Sequence, residues 1–241
     1  MQQSGRLIAA SLGPGDPGLI TRAAWQALEQ ASCWAWPVGR RDGESYALAI
    51  VQRTGLPQPA RLLPLDFPMT RDPVALARYW HAAAIQTLAV LQEGVDVVFL
   101  IEGDASFFAT FGYLSQTVRT LDPTIRVTVI PGVASPLAAA ALEGEPLCAG
   151  EGSLAILPGS TDLERIGRFL DEFQTVVLLK VRPVLPALLD LLTRRNLLKH
   201  AVFVERAGAP EERVVRNVAE LRDQPVHYLS LLIVHVDRSR S

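Results

Sequence analysis

Apolar residues are distributed along this chain in two alternating patterns. Short runs of nearly continuous apolar character are followed by longer stretches in which apolar positions recur every three or four residues, the period of a helix with one buried face. Leu7 to Leu12 is the first such run, halted by Gly-Pro-Gly-Asp-Pro at positions 13–17. Ile20 to Ala31 then predicts a helix, with Ala23, Ala24, Ala27, Leu28 and Ala31 at helical spacing. Ser32 to Trp36 and Arg61 to Leu65 predict a second and a third strand. The clearest helix starts at Asp72, a good N-cap, with Pro73 suited to the first turn. Val74, Ala77, Trp80, Ala84, Leu88 and Leu91 keep its period as far as a stop at Gly94. Val95 to Ile101 and Ile125 to Ile130 read as strands buried on both faces, as in a parallel sheet.

The alternation continues to the end of the chain. Ala134 to Leu142, Asp162 to Phe173 and Leu185 to Arg195 predict helices, and Ser153 to Leu157, Thr175 to Val181, Ala201 to Glu205 and Leu229 to Val236 predict strands. Strands alternating with helices argue for right-handed βαβ units. The expected fold is α/β, in two α/β domains: residues 1–131 with a parallel sheet and the Gly-Pro loop, and residues 132–241 as a second α/β unit.

Composition narrows the classes. The 241 residues suffice for one large domain or two small ones, and 49% apolar with 20% charged residues suits a substantial core. A net charge of −2 offers no electrostatic footprint for nucleic acid or for an anionic membrane, although the local pair Arg40-Arg41 could receive an anionic ligand. No run reaches the roughly 18 apolar residues of a membrane span. Met1 to Arg6 has no signal-peptide pattern, so the expected compartment is the cytoplasm. Cys33 and Cys148, far apart in sequence, read as two buried thiols; neither a disulfide nor a metal site is expected.

Gly13, Gly15 and Gly18 satisfy G-x-G-x-x-G after a strand and before a helix, the pattern of a dinucleotide loop. Two details argue against that use. Pro14 and Pro17 lack the backbone N–H groups that would hold phosphates, and no carboxylate for a ribose is clearly placed after the second strand. The alternative is a stiff loop that carries Asp16 at the carboxyl edge of the first strand, where glycine lets backbone approach a flat ligand. Asp16 could also simply cap the following helix, and the two roles are compatible.

These residues resemble a known family. Leu12-Gly-Pro-Gly-Asp-Pro-Gly-Leu-Ile-Thr21 is similar to the opening signature of the tetrapyrrole methylases. Three further motifs follow in the family's order: Glu102-Gly-Asp-Ala-Ser-Phe-Phe108, Ile130-Pro-Gly-Val-Ala-Ser135, and Val204-Glu-Arg-Ala-Gly208 with Glu212-Arg213. Gly43 to Val51, Phe67 to Asp72 and Phe111 to Leu114 resemble stretches of the branch that methylates precorrin-2 at C-20. The sequence departs from the family pattern at Ala105, where proline is usual, at Phe108, where tyrosine is common, and at Lys180, where methionine is frequent.

The resemblance implies S-adenosylmethionine as methyl donor, bound in a cleft between the two domains, and precorrin-2 as substrate in cobalamin biosynthesis. The cobalt complex of precorrin-2, or another ring carbon, stays open as the alternative. Motif by motif, it carries cofactor contact onto Gly103, Asp104, Phe107, Ala134, Ser135, Lys180, Ala207 and Ser230, and substrate contact onto Gly13, Pro14 and Gly15. Arg22, Arg40, Arg41 and Arg71 could hold substrate carboxylates bidentately; Arg40 and Arg71 are the ones assigned to substrate. C-20 is electron-rich, so no side-chain nucleophile is needed, and no Ser/His/Asp or Cys/His constellation is apparent. Asp16 is the candidate base for the C-20 proton. His81, His200, His227 and His235 are dispersed and lie outside the four motifs, which suits the metal-free substrate, as does Glu102 before Gly-Asp. A homodimer is expected from the family.

Overall fold

A computed structural model describes residues 3–39, 45–68, 70 and 72–236. Residues 1–134 and 135–241 form two compact units. In the first, chain order gives β1 (Leu7–Ser11), α1 (Arg22–Gln30), β2 (Cys33–Val38), α2 (Tyr46–Gln52), β3 (Arg61–Asp66), α3 (Pro73–Gln92), β4 (Val97–Ile101), α4 (Phe111–Leu121) and β5 (Val127–Ile130). The strands lie in the order β3-β2-β4-β1-β5, and every pair is parallel.

The two-residue period of the strands divides the core of this unit. Leu7 and Ala9 of β1 and Phe99 of β4 face α3 and α4, whereas Ile8, Ala10 and Trp34 face α1 and α2. Handedness accounts for the division. The path from β1 through β2 to β3 moves toward one edge of the sheet, and the path from β3 through β4 to β5 moves back toward the other. Right-handed crossovers in opposite directions place their helices on opposite faces.

The expected helix from Ile20 is shorter and starts later. Pro17–Leu19 form a tight 3-10 turn, and Thr21 caps α1 by accepting from Ala24 N at 3.3 Å. Asp72 caps α3 as expected, accepting from Val74 N at 3.0 Å. The sequence did not indicate α2 or α4. α2 is short, and α4 carries Gly112 and two β-branched threonines among its buried Phe111, Leu114 and Val118. Burial against α3 overrides weak intrinsic propensity there.

The second unit contains α5 (Ser135–Glu143), β6 (Leu154–Pro158), α6 (Leu163–Glu172), β7 (Thr175–Leu179), α7 (Leu185–Arg194), β8 (Ala201–Glu205), β9 (Arg213–Val215) and β10 (Ser230–His235). Its sheet runs β6-β7-β10-β8-β9, and only β6 with β7 is parallel. The central strand β10 therefore opposes both neighbours, and its first residue lies where β7 and β8 end. α6 and α7 cover one face around Phe203 and Leu232. β9, three residues at the sheet's edge, had no hydrophobic signal of its own.

The expectation of two buried thiols is corrected at one of them. Cys33 is buried in β2, where loss of solvent raises its pKa to about 11, but Cys148 is exposed and donates to the Gly152 carbonyl at 2.7 Å. Among the described residues, no helix is long and apolar enough to cross a membrane.

Candidate functional site

β1 and β4 are neighbours whose outgoing connections leave on opposite faces of the sheet, which opens a crevice at their carboxyl ends. Gly13 and Gly103 meet there. Gly103 N donates to the Gly13 carbonyl at 2.7 Å and Gly13 N returns a bond to the Gly103 carbonyl at 3.1 Å. Both have positive φ, 75° and 71°. A Cβ built on Gly103 meets no atom within 4 Å, so the backbone faces open space. A side chain there would cost roughly 1–2 kcal/mol in backbone strain and would occupy that space.

Gly132, after β5, is glycine for a different reason: a Cβ would lie 2.6 Å from Ser11 Cβ and 2.9 Å from the Gly103 carbonyl oxygen. Asp104 ties the end of β4 to the end of β5. One carboxylate oxygen accepts from Ser106 N and the other from Gly132 N, each at 2.7 Å. Ser11, polar and fully buried at the end of an apolar strand, accepts from Ala105 N at 2.9 Å. Asp104 therefore fixes the loop in which Gly103 presents its backbone.

The Gly-Pro loop is held from α2. Tyr46 donates to the Pro14 carbonyl at 3.0 Å, and the Arg53 guanidinium donates to the Gly15 carbonyl. Two prolines deprive the loop of N–H groups, so its hydrogen bonding runs through carbonyls instead. Asp16 is exposed and accepts from Gly18 N at 2.8 Å through one carboxylate oxygen, capping the 3-10 turn. Past Gly103, the rings of half-buried Phe107 and exposed Phe108 meet edge to face with centroids 4.8 Å apart. Phe108 has φ 52°, a left-handed backbone that is a genuine outlier for a bulky residue. Ala134 and Ser135, both half-buried, lead into α5.

In the second unit, Lys180, Ala207 and Ser230 converge on one edge of the sheet. Lys180, just past β7, donates its N–H to the Ser230 carbonyl at 2.6 Å; Arg206, just past β8, donates to the Leu229 carbonyl at 2.8 Å. Both adopt left-handed backbone, φ 57° and 52°. Between them the Ser230 hydroxyl is buried without a hydrogen-bond partner among the described residues, and Ala207 is buried. The Lys180 ammonium sits 5.5 Å over the Tyr228 ring. His227 accepts from Leu229 N through Nδ1 at 3.1 Å, and loss of solvent, then the Arg206 charge, lowers its pKa.

The expected residues thus gather at two strand edges, Gly13, Pro14, Gly15, Asp16, Gly103, Asp104 and Phe107 at one and Lys180, Ala207 and Ser230 at the other. Arg40, Arg41 and Arg71 lie outside the described residues. Sequence reasoning missed Ser11, Tyr46 and Arg53. Ser11 could have been found as the one polar residue in an apolar strand, and Tyr46 and Arg53 as a pair two helical turns apart. Among the described residues at either edge, none is a nucleophile activated by a base. The first edge offers open backbone and aromatic rings, and the second a buried hydroxyl; each by itself suits contact with a ligand.

The sequence model of a family described as Tetrapyrrole (Corrin/Porphyrin) Methylases matches residues 6–222. The chain is 32% identical to the cobalt-precorrin-2 C(20)-methyltransferase of Salmonella typhimurium, over 96% of this chain and 97% of that protein. It is also 32% identical to the precorrin-2 C(20)-methyltransferase of a Sinorhizobium species, over 95% of each. Its structure is similar to that of uroporphyrin-III C-methyltransferase from Thermus thermophilus complexed with S-adenosylhomocysteine, with a TM-score of 0.65 and 25% identity over 96% of this chain and 97% of that one.

Proposed function

The chain belongs to the tetrapyrrole (corrin/porphyrin) methylases, and from that premise we propose that it transfers a methyl group from S-adenosylmethionine to C-20 of precorrin-2 in cobalamin biosynthesis. The observation that carries this reading is the strand edge at which Gly13 and Gly103 pair and the Gly103 backbone is open to a ligand. Two full-length relatives named for C-20 methylation of this ring support the choice of carbon.

Two features of the chain fit the methyl donor: the open space over Gly103 and the buried hydroxyl of Ser230, which has no hydrogen-bond partner among the described residues. Gly103, Phe107, Ala134, Ser135, Lys180, Ala207 and Ser230 are assigned to it. When bound, it supplies a methyl carried on a sulfonium. Asp104 acts by fixing the Gly103 turn through Ser106 and Gly132. The chain's contribution to rate is alignment, which can lower a barrier by roughly 7–11 kcal/mol. Gly13, Pro14 and Gly15, with Arg40 and Arg71, are assigned to substrate. Asp16, exposed on the loop that Tyr46 and Arg53 hold, is assigned to removing the C-20 proton. The reading includes a cytoplasmic homodimer.

The metal-free ring is the proposed substrate, on the dispersed histidines and on Glu102. The cobalt complex is the second reading, favoured by the name of the Salmonella relative. Paired anaerobic kinetics on both substrates decide between them. The metal-free form is expected to show the higher kcat/KM; a higher value for the cobalt form would transfer the assignment to the cobalt complex.

A further inference from the structure

Phe108 is held in a costly state that the fold itself does not explain. Its backbone is left-handed, φ 52°, and its ring is 51% exposed. The other large exposed apolar residues described in the chain, such as Val74, Tyr79, Ile85 and Leu137, sit on helices or strands; Phe108 alone among them sits in a loop. That loop is the one after β4. It is also rigid: Ala105 N is fixed by Ser11, Ser106 N by Asp104, and Phe107 N by the Asp104 carbonyl at 3.1 Å. Phe107 meets Phe108 at 88°, so the ring has a fixed neighbour that sets its direction.

Strain and exposed apolar area persist where something else compensates for them, and strained residues cluster at ligand sites. Collapse onto the surface could relieve the exposure, and a right-handed backbone the strain. The tied loop permits neither. A ligand that covers the ring would compensate for both.

We propose that Phe108 is a substrate-contacting residue whose ring, set against Phe107, packs against the apolar face of the tetrapyrrole. The inference rests on the methylase reading above and adds to it a specificity-determining residue. Its chemical basis is the match between an aromatic face and a flat, conjugated macrocycle, whose carboxylates the ring leaves for cationic side chains. Phe108 contributes to the affinity and pose of the ring, and the methyl donor is held independently of it.

The test uses the whole chain and three variants, Phe108→Ala, Phe108→Tyr and Phe108→Gly. Precorrin-2 affinity is measured anaerobically by absorbance titration, S-adenosylhomocysteine affinity by calorimetry, and stability by thermal unfolding. Phe108→Ala is expected to weaken precorrin-2 binding about tenfold and to leave S-adenosylhomocysteine binding within about twofold. Phe108→Tyr, which keeps the aromatic face, retains substrate binding. Phe108→Gly, which removes both ring and strain, keeps or raises Tm while losing the substrate affinity. Unchanged precorrin-2 affinity in folded Phe108→Ala overturns the inference, as does an equal loss of both ligands, which would make the loop merely structural. If the unaltered chain binds no precorrin-2, the methylase reading at C-20 fails with it, a result that needs no variant to recognise.

Discussion

The two sheets of this protein solve one problem with different residues. In the first, the strand ends turn through left-handed backbone at Gly13 and Gly103; in the second, the equivalent turns fall on Lys180 and Arg206. Glycine adopts this conformation freely, whereas a residue with Cβ bears a strain of roughly 1–2 kcal/mol. The first edge is open at Gly103 because glycine leaves room above the backbone. The second keeps long cationic side chains at its turns and, among the described residues, leaves the Ser230 hydroxyl buried between them without a hydrogen-bond partner. Bare backbone at one edge and strained side chains at the other imply that substitution should act with opposite sign at the two.

Gly132 should show the largest effect. A Cβ there collides with Ser11 and with the Gly103 carbonyl, atoms of the tied strand ends that cannot swing away. Gly132→Val is expected to lower stability by about 3 kcal/mol or more, read as the midpoint of urea unfolding. A midpoint within error of the unaltered chain would mean that the three strand ends are not packed as described.

Gly103→Val should act on binding more than on folding, since the side chain enters open space. Methyl-donor affinity is expected to fall at least tenfold, about 1.4 kcal/mol, in a protein that still unfolds cooperatively. Calorimetry giving the original affinity would remove Gly103 from the cofactor site.

Arg206→Gly tests the opposite sign. It relieves the left-handed strain and loses an ion pair with exposed Glu211, a contact worth little. Stability is expected to rise by up to about 1 kcal/mol, a gain of roughly 2–4 °C in Tm. A fall in Tm would show that the Arg206 side chain stabilises the second edge by more than its backbone strains it.

The smallest effect concerns pH. His227 has a lowered pKa in the folded chain, so the unfolded chain binds more protons as pH drops through the ordinary value of 6.5. Its contribution to stability is complete above pH 6.5 and is lost as pH falls through the folded pKa. His227→Gln should flatten that slope, and an unaltered slope in urea titrations between pH 7 and 5 would assign it to other groups.

Much of this was legible in the sequence, for identifiable reasons. β1, β4 and β8 were readable because buried strands are continuous apolar runs, and α3 because Asp72 and Pro73 mark its start. Gly13 was singled out by the Gly-Pro pattern after an apolar run, and Gly103 and Asp104 by the resemblance of Glu102 to Phe108 to a methylase motif. Lys180 and Arg206 carry no such mark, since nothing about a cationic residue announces positive φ. α2 and α4 were hidden by brevity and weak propensity. Tyr46 and Arg53 were missed because their partners are the carbonyls of Pro14 and Gly15, about thirty or more residues away, and only folding brings them together. The exposed Cys148 was misread because burial is the usual state of a free thiol, and residue type alone could not show the loop around it.

The most direct test of the whole account is the position of the transferred carbon. The chain is incubated anaerobically with precorrin-2 and S-adenosylmethionine carrying a ¹³C-labelled methyl group, and the product is read by mass and by carbon NMR. The account predicts one added methyl, with the label bonded to C-20 and the C-20 proton lost. A label on any other ring carbon, or an unmethylated ring after complete incubation, would contradict it.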